Sequence, residues 1–229
     1  MTDEKFIRFI RSFVRREGRV SKRQKQALDL YWSQFGIDYT GEPMTLESLF
    51  HNDHPIILEI GFGMGHSLLA QAQSHLDHNY LGLEVHRPGV GSLLADCKEH
   101  NIHNLRVMQY DAVEVVKHSI KEDALSGIQI YFPDPWPKNK HHKRRLIQGD
   151  FLSLLIQKLK VGGFIHLATD WKNYAEQMLA VLSAEKQLHN ISEESSGYWQ
   201  NDGRRPLTKF EKRGQRLGHD VWDLLFVRR

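Results

Sequence analysis

Residues 56–69 read IILEIGFGMGHSLL. Four of the first five side chains are apolar, as in a parallel strand buried on both faces. The acid Glu59 stands near the strand's end. Gly61, Gly63 and Gly65 alternate after it, and an apolar helical pattern follows. Glycine has no Cβ, so a backbone built from it turns sharply and comes close to a ligand. A strand, a glycine turn and a helix place a nucleotide-sized site at the carboxyl edge of a sheet.

The spacing separates two kinds of loop. A dinucleotide fingerprint, G-x-G-x-x-G, puts its third glycine at position 66, and residue 66 is His. The pattern here, E-x-G-x-G-x-G, is one residue tighter. It resembles the first motif of class I S-adenosylmethionine (SAM)-dependent methyltransferases. A purely structural strand-to-helix turn is the alternative reading of the same residues.

Outward from this stretch, β and α patterns alternate, as in a parallel sheet covered by helices on both faces. Strands are expected at Ile56–Ile60, Tyr80–Val85, Leu105–Tyr110, Gly127–Phe132 and Phe164–Thr169, with final strands at Leu188–Ser192 and Val221–Val227. Helices are expected near Ser67–His75, Val90–His100, Ala112–His118, Leu146–Leu159 (ended by Gly162 and Gly163) and Tyr174–Leu182. Before them, Val20–Phe35 reads as a helix with Ser21 as N-cap and Gly36 as stop. The first residues, MTDEKFIRFIRSFVRREGR, mix apolar and arginine positions. They suit a basic amphipathic arm on RNA or a membrane surface, or a weakly packed tail. The expected organisation is a basic arm and helix over 1–36 and one catalytic domain over 37–229.

Four acids fall where strands one to four end: Glu59, Glu84, Asp111 and Asp134. Glu84 lies 23 residues beyond Gly61, where a carboxylate accepts hydrogen bonds from both ribose hydroxyls of an adenosine. Any single acid at a strand end also serves as a helix N-cap. Four at successive ends, beside a glycine loop, suit a cofactor crevice better.

Strand four runs into IYFPDPWPKNKHHKRRL. Pro133, Pro135 and Pro137 stiffen the segment and hold Asp134 and Trp136 at the mouth of the crevice. A carboxylate there accepts from base N–H groups, and an indole stacks on a base or walls off the cofactor. A rigid turn with Trp136 in the core remains the other reading. The basic run Lys138, Lys140, His141, His142, Lys143, Arg144 and Arg145 follows at once, next to where a base would sit. Asp170 and Trp171 lie beyond strand five. Thr208, Lys209, Phe210 and Glu211 form a polar-aromatic cluster before the last strand.

Charge is distributed unevenly. Residues 1–25, 138–145 and 204–216 carry +6, +5 and +5, so the remainder of a chain of net charge +3 carries −13. Such separation suggests a basic face for a polyanion. Three solvated loops pointing apart would give the same counts. With 229 residues, 40% apolar and 26% charged, the composition is that of a soluble globular α/β domain with a small extension. The single cysteine, Cys97, excludes an internal disulfide and most cysteine metal sites. No signal peptide or bilayer-length apolar run is evident, so a cytoplasmic location is expected.

RSFVRREGRVSKRQKQAL, LEIGFGMGHSL, GLEVHRPGV, FPDPWPKNKHHKRRL, ATDWKNYAEQML and TKFEKRGQRLGHDVWDL together resemble the bacterial tRNA (guanine-N7-)-methyltransferase family over nearly the whole chain. The resemblance implies a Rossmann-like, mostly parallel seven-stranded sheet and methylation of G46 in the tRNA variable loop. It implies SAM contacts at Glu59, Glu84, Asp111 and Asp134, beside Gly61, Gly63 and Gly65 of the loop. It implies guanine or tRNA contacts at Lys138, Asp170 and Thr208 to Glu211, and RNA binding by Lys140, His141, His142, Lys143, Arg144 and Arg145. No metal and no obligatory protein partner is expected, and monomer and homodimer are both compatible.

The chemistry suits those residues. Guanine N7 carries a free lone pair and loses no proton on attack, so alignment and shielding are the main demands. Asp134 therefore reads as an anchor for guanine and the methyl donor more than as a base. Two alternatives stay open on the residues alone. One is a SAM-dependent methyltransferase acting on another RNA position, an exocyclic amine, a protein or a small molecule. The other is a non-catalytic RNA-binding protein on the same scaffold.

Overall fold

The computed structural model describes residues 18–192, 194–203, 205–206, 211 and 220–229. Its central strand is β1 (Ile56–Ile60), buried at every position. Ile56, Leu58 and Ile60 enter one core and Ile57 the other, so alternate side chains serve opposite faces. That is why the strand reads as an almost continuous apolar run.

On one side of β1 lie β2 (Asn79–Leu83) and β3 (Leu105–Met108), and on the other β4 (Leu125–Tyr131), β5 (Leu159–Thr169), β7 (Trp222–Arg228) and β6 (Leu188–Asn190). The sheet order is β3-β2-β1-β4-β5-β7-β6. Strands β1 to β5 pair parallel with one another, and β7 runs antiparallel to both β5 and β6. The strand order reverses between β1 and β4, which opens a crevice at their carboxyl ends.

Helices α1 (Lys22–Phe35), α2 (His66–Ser74) and α3 (Arg87–Glu99) cover one face. Helices α4 (Ala112–His118), α5 (Gly149–Lys158) and α6 (Lys172–Ala184) cover the other. The start of α1 is a capping box: the Gln24 amide donates to Ser21 Oγ at 3.3 Å, and the Ser21 amide donates to Gln24 Oε1 at 2.8 Å. The helix packs on α3, and Arg23 pairs with Asp96 and Glu99 at 2.7 and 2.8 Å. Beyond it, Gly36 bridges Val107 of β3. The helix within residues 1–36 is therefore fastened to the edge of the main sheet. Residues 1–17 lie outside the described part.

Several boundaries differ from the sequence expectation for physical reasons. Helix α3 starts at Arg87, with Pro88 in its first turn, where proline's fixed φ suits a helix and its missing N–H is no loss. Helix α5 starts only at Gly149 and ends at Lys158. Gly162 and Gly163 do not end it; they lie within β5, where the β4–β5 register shifts. Cys97 is buried and unpaired, and burial pushes its thiol up to about 12, as befits a packing residue. Among the described residues, no helix is long and apolar enough to cross a membrane.

Candidate active site

A cleft of about 990 Å³ opens at the carboxyl ends of β1, β2, β3 and β4. Its floor begins with the glycine loop. Gly61 and Gly63 adopt φ of +77° and +59°, and a Cβ at either would meet no protein atom within 4 Å. Any L side chain there would be strained. Gly61 lines the cleft directly. Behind the loop, a Cβ on Gly89 would approach the Gly63 carbonyl oxygen to 1.9 Å, so the first turn of α3 seats against the loop. Gly65 is the N-cap of α2.

Glu84, just past β2, lines the cleft. Its Oε2 accepts from the Gly63 amide at 2.8 Å, and Oε1 accepts from the Val85 and His86 amides at 2.7 and 2.9 Å. Three backbone donors thus fix the carboxylate in place. Oε1 already accepts two of these bonds, so the acceptor capacity left to a carboxylate with about four lone-pair sites lies on Oε2.

Glu59 is placed differently. It is 2% exposed, does not line the cleft, and meets Gln71 Nε2 of α2 at 3.4 Å. Gln71 Oε1 in turn accepts from Gln129 Nε2 of β4 at 2.8 Å. Burial, with the nearby charge of Glu84 adding to it, pushes the Glu59 carboxyl up to about 8. Glu59 is therefore a largely neutral buried acid that ties β1 to α2 and, through Gln71, to β4.

Asp111 lines the cleft and also caps α4, accepting from the Val113 amide at 3.0 Å. Beside it, Tyr110 lines the cleft and stacks on Tyr39 at 3.9 Å. The sequence reading passed over Tyr39 and Tyr110; an aromatic just before a strand-end acid was the available signal. Gly18 and Val20 also line the cleft, so the chain entering α1 forms part of its wall.

Asp134 is exposed and lines the cleft where β4 ends. Phe132 and Trp136 on either side adopt φ of +51° and +45°. Bulky residues rarely occupy the left-handed region, at a cost of about 1–3 kcal/mol each. The two lie symmetrically about Pro133-Asp134-Pro135, so the backbone departs from an extended strand on both sides of Asp134. Trp136 neither enters the core nor stands bare. It is half-buried in the cleft wall, with the Arg144 guanidinium 4.6 Å from its ring centroid and His141 edge-on at 5.8 Å.

The basic run forms a 3₁₀ turn over Asn139–Arg144. Lys138, Lys140 and Lys143 are exposed, while His141, His142 and Arg144 are half-buried. Burial and the surrounding Lys140, Arg144, Lys138 and Lys143 charges hold the His141 pKa below its usual value. Arg145 turns inward. It is 2% exposed and donates to the Pro135 carbonyl at 2.8 Å, Gln177 Oε1 at 2.5 Å and Asn173 Oδ1 at 2.8 Å. A guanidinium with those partners braces the proline loop and is not presented to a polyanion. That corrects its place in the expected RNA-binding stretch.

Asp170 is exposed just past β5, outside the cleft wall. Glu211 is 4% exposed and forms a bidentate pair with Arg205 at 2.5 and 3.0 Å. Thr208, Lys209 and Phe210 lie outside the described residues. Among the described residues, no group of three or more His, Cys, Asp or Glu is placed to hold a metal ion.

The family model Methyltransf_4, described as "Putative methyltransferase", matches residues 53–224. Curated relatives named tRNA (guanine-N(7)-)-methyltransferase match almost end to end. One from Aeromonas hydrophila is 52% identical, covering 99% of this chain and 95% of its own. One from Yersinia enterocolitica is 52% identical, covering 97% and 93%. One from Haemophilus influenzae is 52% identical, covering 99% and 92%.

This chain belongs to the tRNA (guanine-N(7)-)-methyltransferase family.

Solved structures carry the fold alone. The 16S rRNA methyltransferase KamB aligns with a TM-score of 0.58 at 14% identity, over 80% of this chain and 92% of its own. An rRNA methylase from Streptococcus thermophilus aligns with 0.52 at 11% identity, over 77% and 88%. The Rossmann-like fold is what this chain shares with them.

Proposed function

We propose that this chain transfers a methyl group from SAM to N7 of guanine in tRNA, at G46 of the variable loop. The observation that carries this reading is the position of Asp134. It stands on the cleft wall, between a pocket suited to an adenosine and a turn of exposed lysines.

The residues fit the methyl donor. The bare backbone at Gly61 leaves space that any side chain would fill. Glu84 offers a fixed carboxylate for the ribose hydroxyls, and Asp111 with Tyr110 stands where the adenine would lie. SAM supplies a methyl carbon on a sulfonium, whose carbon–sulfur bond pair leaves with sulfur as guanine N7 donates its lone pair.

The protein's own contribution is geometric. Asp134 accepts from the guanine N–H edge and so orients N7 toward the methyl carbon, and its charge offsets the positive charge developing on the purine. Trp136, held by Arg144 and His141, walls the reacting atoms from water. Lys138, Lys140 and Lys143 neutralise phosphates flanking the target base. Glu59 ties β1 to α2 and, through Gln71, to β4. Asp170, with Thr208, Lys209 and Phe210, is proposed to contact the tRNA, whereas Glu211 is buried against Arg205. The N-terminal basic residues are proposed to bind the same RNA. A reaction on tRNA belongs in the cytoplasm.

The test is direct. The purified protein is incubated with methyl-labelled SAM and an unmodified tRNA transcript, and the digested nucleosides are identified by mass spectrometry. 7-Methylguanosine is expected. Label confined to exocyclic amines or to protein would sink the reading.

A further inference from the structure

Among the described residues, Arg205 is the largest side chain with essentially no solvent exposure. A buried guanidinium is costly unless its donors are satisfied. Here they are. Nε and Nη2 donate to Asp223 Oδ1 and Oδ2 of β7 at 2.6 and 2.7 Å, and Nη1 and Nη2 donate to Glu211 at 2.5 and 3.0 Å. The two carboxylates are addressed as two forks, a geometry that lysine does not reproduce. Burial opposes the charge on Arg205, but Asp223 and Glu211 outweigh it and hold the guanidinium protonated. Burial would also raise Asp223, yet Arg205 and His166 hold it below the usual carboxylate range.

The cation also faces the cleft's back wall. It lies 5.7 Å from the Tyr131 ring and 5.6 Å from the Phe132 ring. Both residues line the cleft, and Phe132 is one of the two strained residues that bracket Asp134. A second route joins the same parts: Tyr131 Oη meets His166 Nδ1 at 3.1 Å, and His166 Nε2 meets Asp223 Oδ1 at 2.8 Å. The end of β4, β5, β7 and Glu211 are thus tied through one buried cation.

We propose that Arg205 is a positioning residue for methyl transfer, clamping Glu211 and Asp223 against the Tyr131–Phe132 end of β4 and so fixing where Asp134 presents guanine. It touches neither ligand. It stands behind the wall that both meet. Asp134 follows Phe132 by two residues, so a shift of that ring moves the carboxylate, and displacements of about 1 Å near reacting atoms cost about 10²-fold in rate. This inference rests on the methyl-transfer reading above.

The experiment measures single-turnover methyl transfer to the tRNA transcript for wild type, Arg205→Lys, Arg205→Ala and Asp223→Asn, with SAM affinity by calorimetry and thermal melting alongside. The expected result is a transfer rate reduced roughly tenfold or more in folded Arg205→Lys, with SAM affinity within about twofold of wild type. Methylguanidinium should partly restore Arg205→Ala, whereas methylammonium at the same ionic strength should not. If Arg205→Ala fails to fold, Asp223→Asn, which keeps shape and loses one anchoring charge, should show the same selective loss of rate. A rate unchanged in Arg205→Lys, or lowered only in step with SAM affinity or folded fraction, would overturn the proposal. Absence of transfer by the wild type would instead defeat the functional reading, and this one with it.

Discussion

Glu84 and Gly63, 21 residues apart, are joined by a 2.8 Å hydrogen bond from the glycine amide to the carboxylate. The bond locks the end of β2 to the glycine loop after β1. The acid that would hold a ribose therefore also shapes the loop beneath it. Glu84→Ala removes both effects. SAM affinity should weaken by roughly 1.5–3 kcal/mol, the scale for hydrogen bonds to a charged group. Calorimetry on the folded variant checks this, and unchanged affinity would retire Glu84 as a ribose ligand.

The basic turn divides into exposed and buried cations, and the two should behave differently. Neutralising Lys140 and Lys143 should flatten the dependence of log K on log salt for tRNA by up to about 0.7–0.9 per lost phosphate contact. SAM affinity should hold. Arg145→Ala should instead lower the melting temperature, because it strips the donors from Pro135, Asn173 and Gln177. Filter binding across a salt series and thermal melting separate the two. A slope untouched by the lysine changes would show that the turn faces away from the RNA.

Asp134 should matter for turnover far more than for folding, since it is exposed. Asp134→Ala should lower kcat/KM by about 10²-fold or more. Asp134→Asn keeps the size but turns one acceptor into a donor facing the guanine N–H edge, and should also be poor. N7 has no proton to lose, so added formate or acetate should not restore the alanine variant. Recovery at fixed ionic strength would show a general base instead.

Glu59 gives a pH signature in stability. Its folded pKa, about 8, lies above the ordinary carboxylate value near 4.5. Between these values the folded state binds more protons than the unfolded one, so stability falls as pH rises from about 4.5 through 8. Glu59→Gln carries no such proton. The variant should gain on the wild type as pH rises from 5 to 8, with each kcal/mol worth roughly 2–4 °C in melting temperature for a chain of this size. Parallel melting curves of the two proteins without ligand check it. A constant difference across that range would show that Glu59 is ionised when folded.

Much of the fold was legible because local signals agreed. The Ile56–Ile60 run, the tight glycine spacing and the regular β/α alternation all require one parallel sheet with its crevice at the strand ends. The strand-end acids followed from that alternation. What the sequence hid was the direction of charge. Arg145 and Arg205 stand in basic runs and read as solvent-facing, yet both are buried. Their partners lie elsewhere in the chain: Asn173 and Gln177 for Arg145, Asp223 and Glu211 for Arg205. Only the tertiary fold brings those groups together. Glu59 was obscured in a related way, since its alternation on β1 turns it toward Gln71 and away from the cleft. Gly162 and Gly163 read as a helix stop because the sequence does not reveal that β5 absorbs them at a register shift.

The central claim is that Asp134 presents guanine N7 at position 46 of a tRNA to the methyl donor. Its most direct test uses two transcripts, one with guanine at 46 and one with adenine there, each incubated with the protein and SAM. Borohydride reduction and aniline then cleave the chain wherever 7-methylguanosine stands. The account predicts a single cleavage at 46 in the first transcript, abolished by Asp134→Ala, and none in the second. Equal methylation of both transcripts, or cleavage at another position, would contradict it.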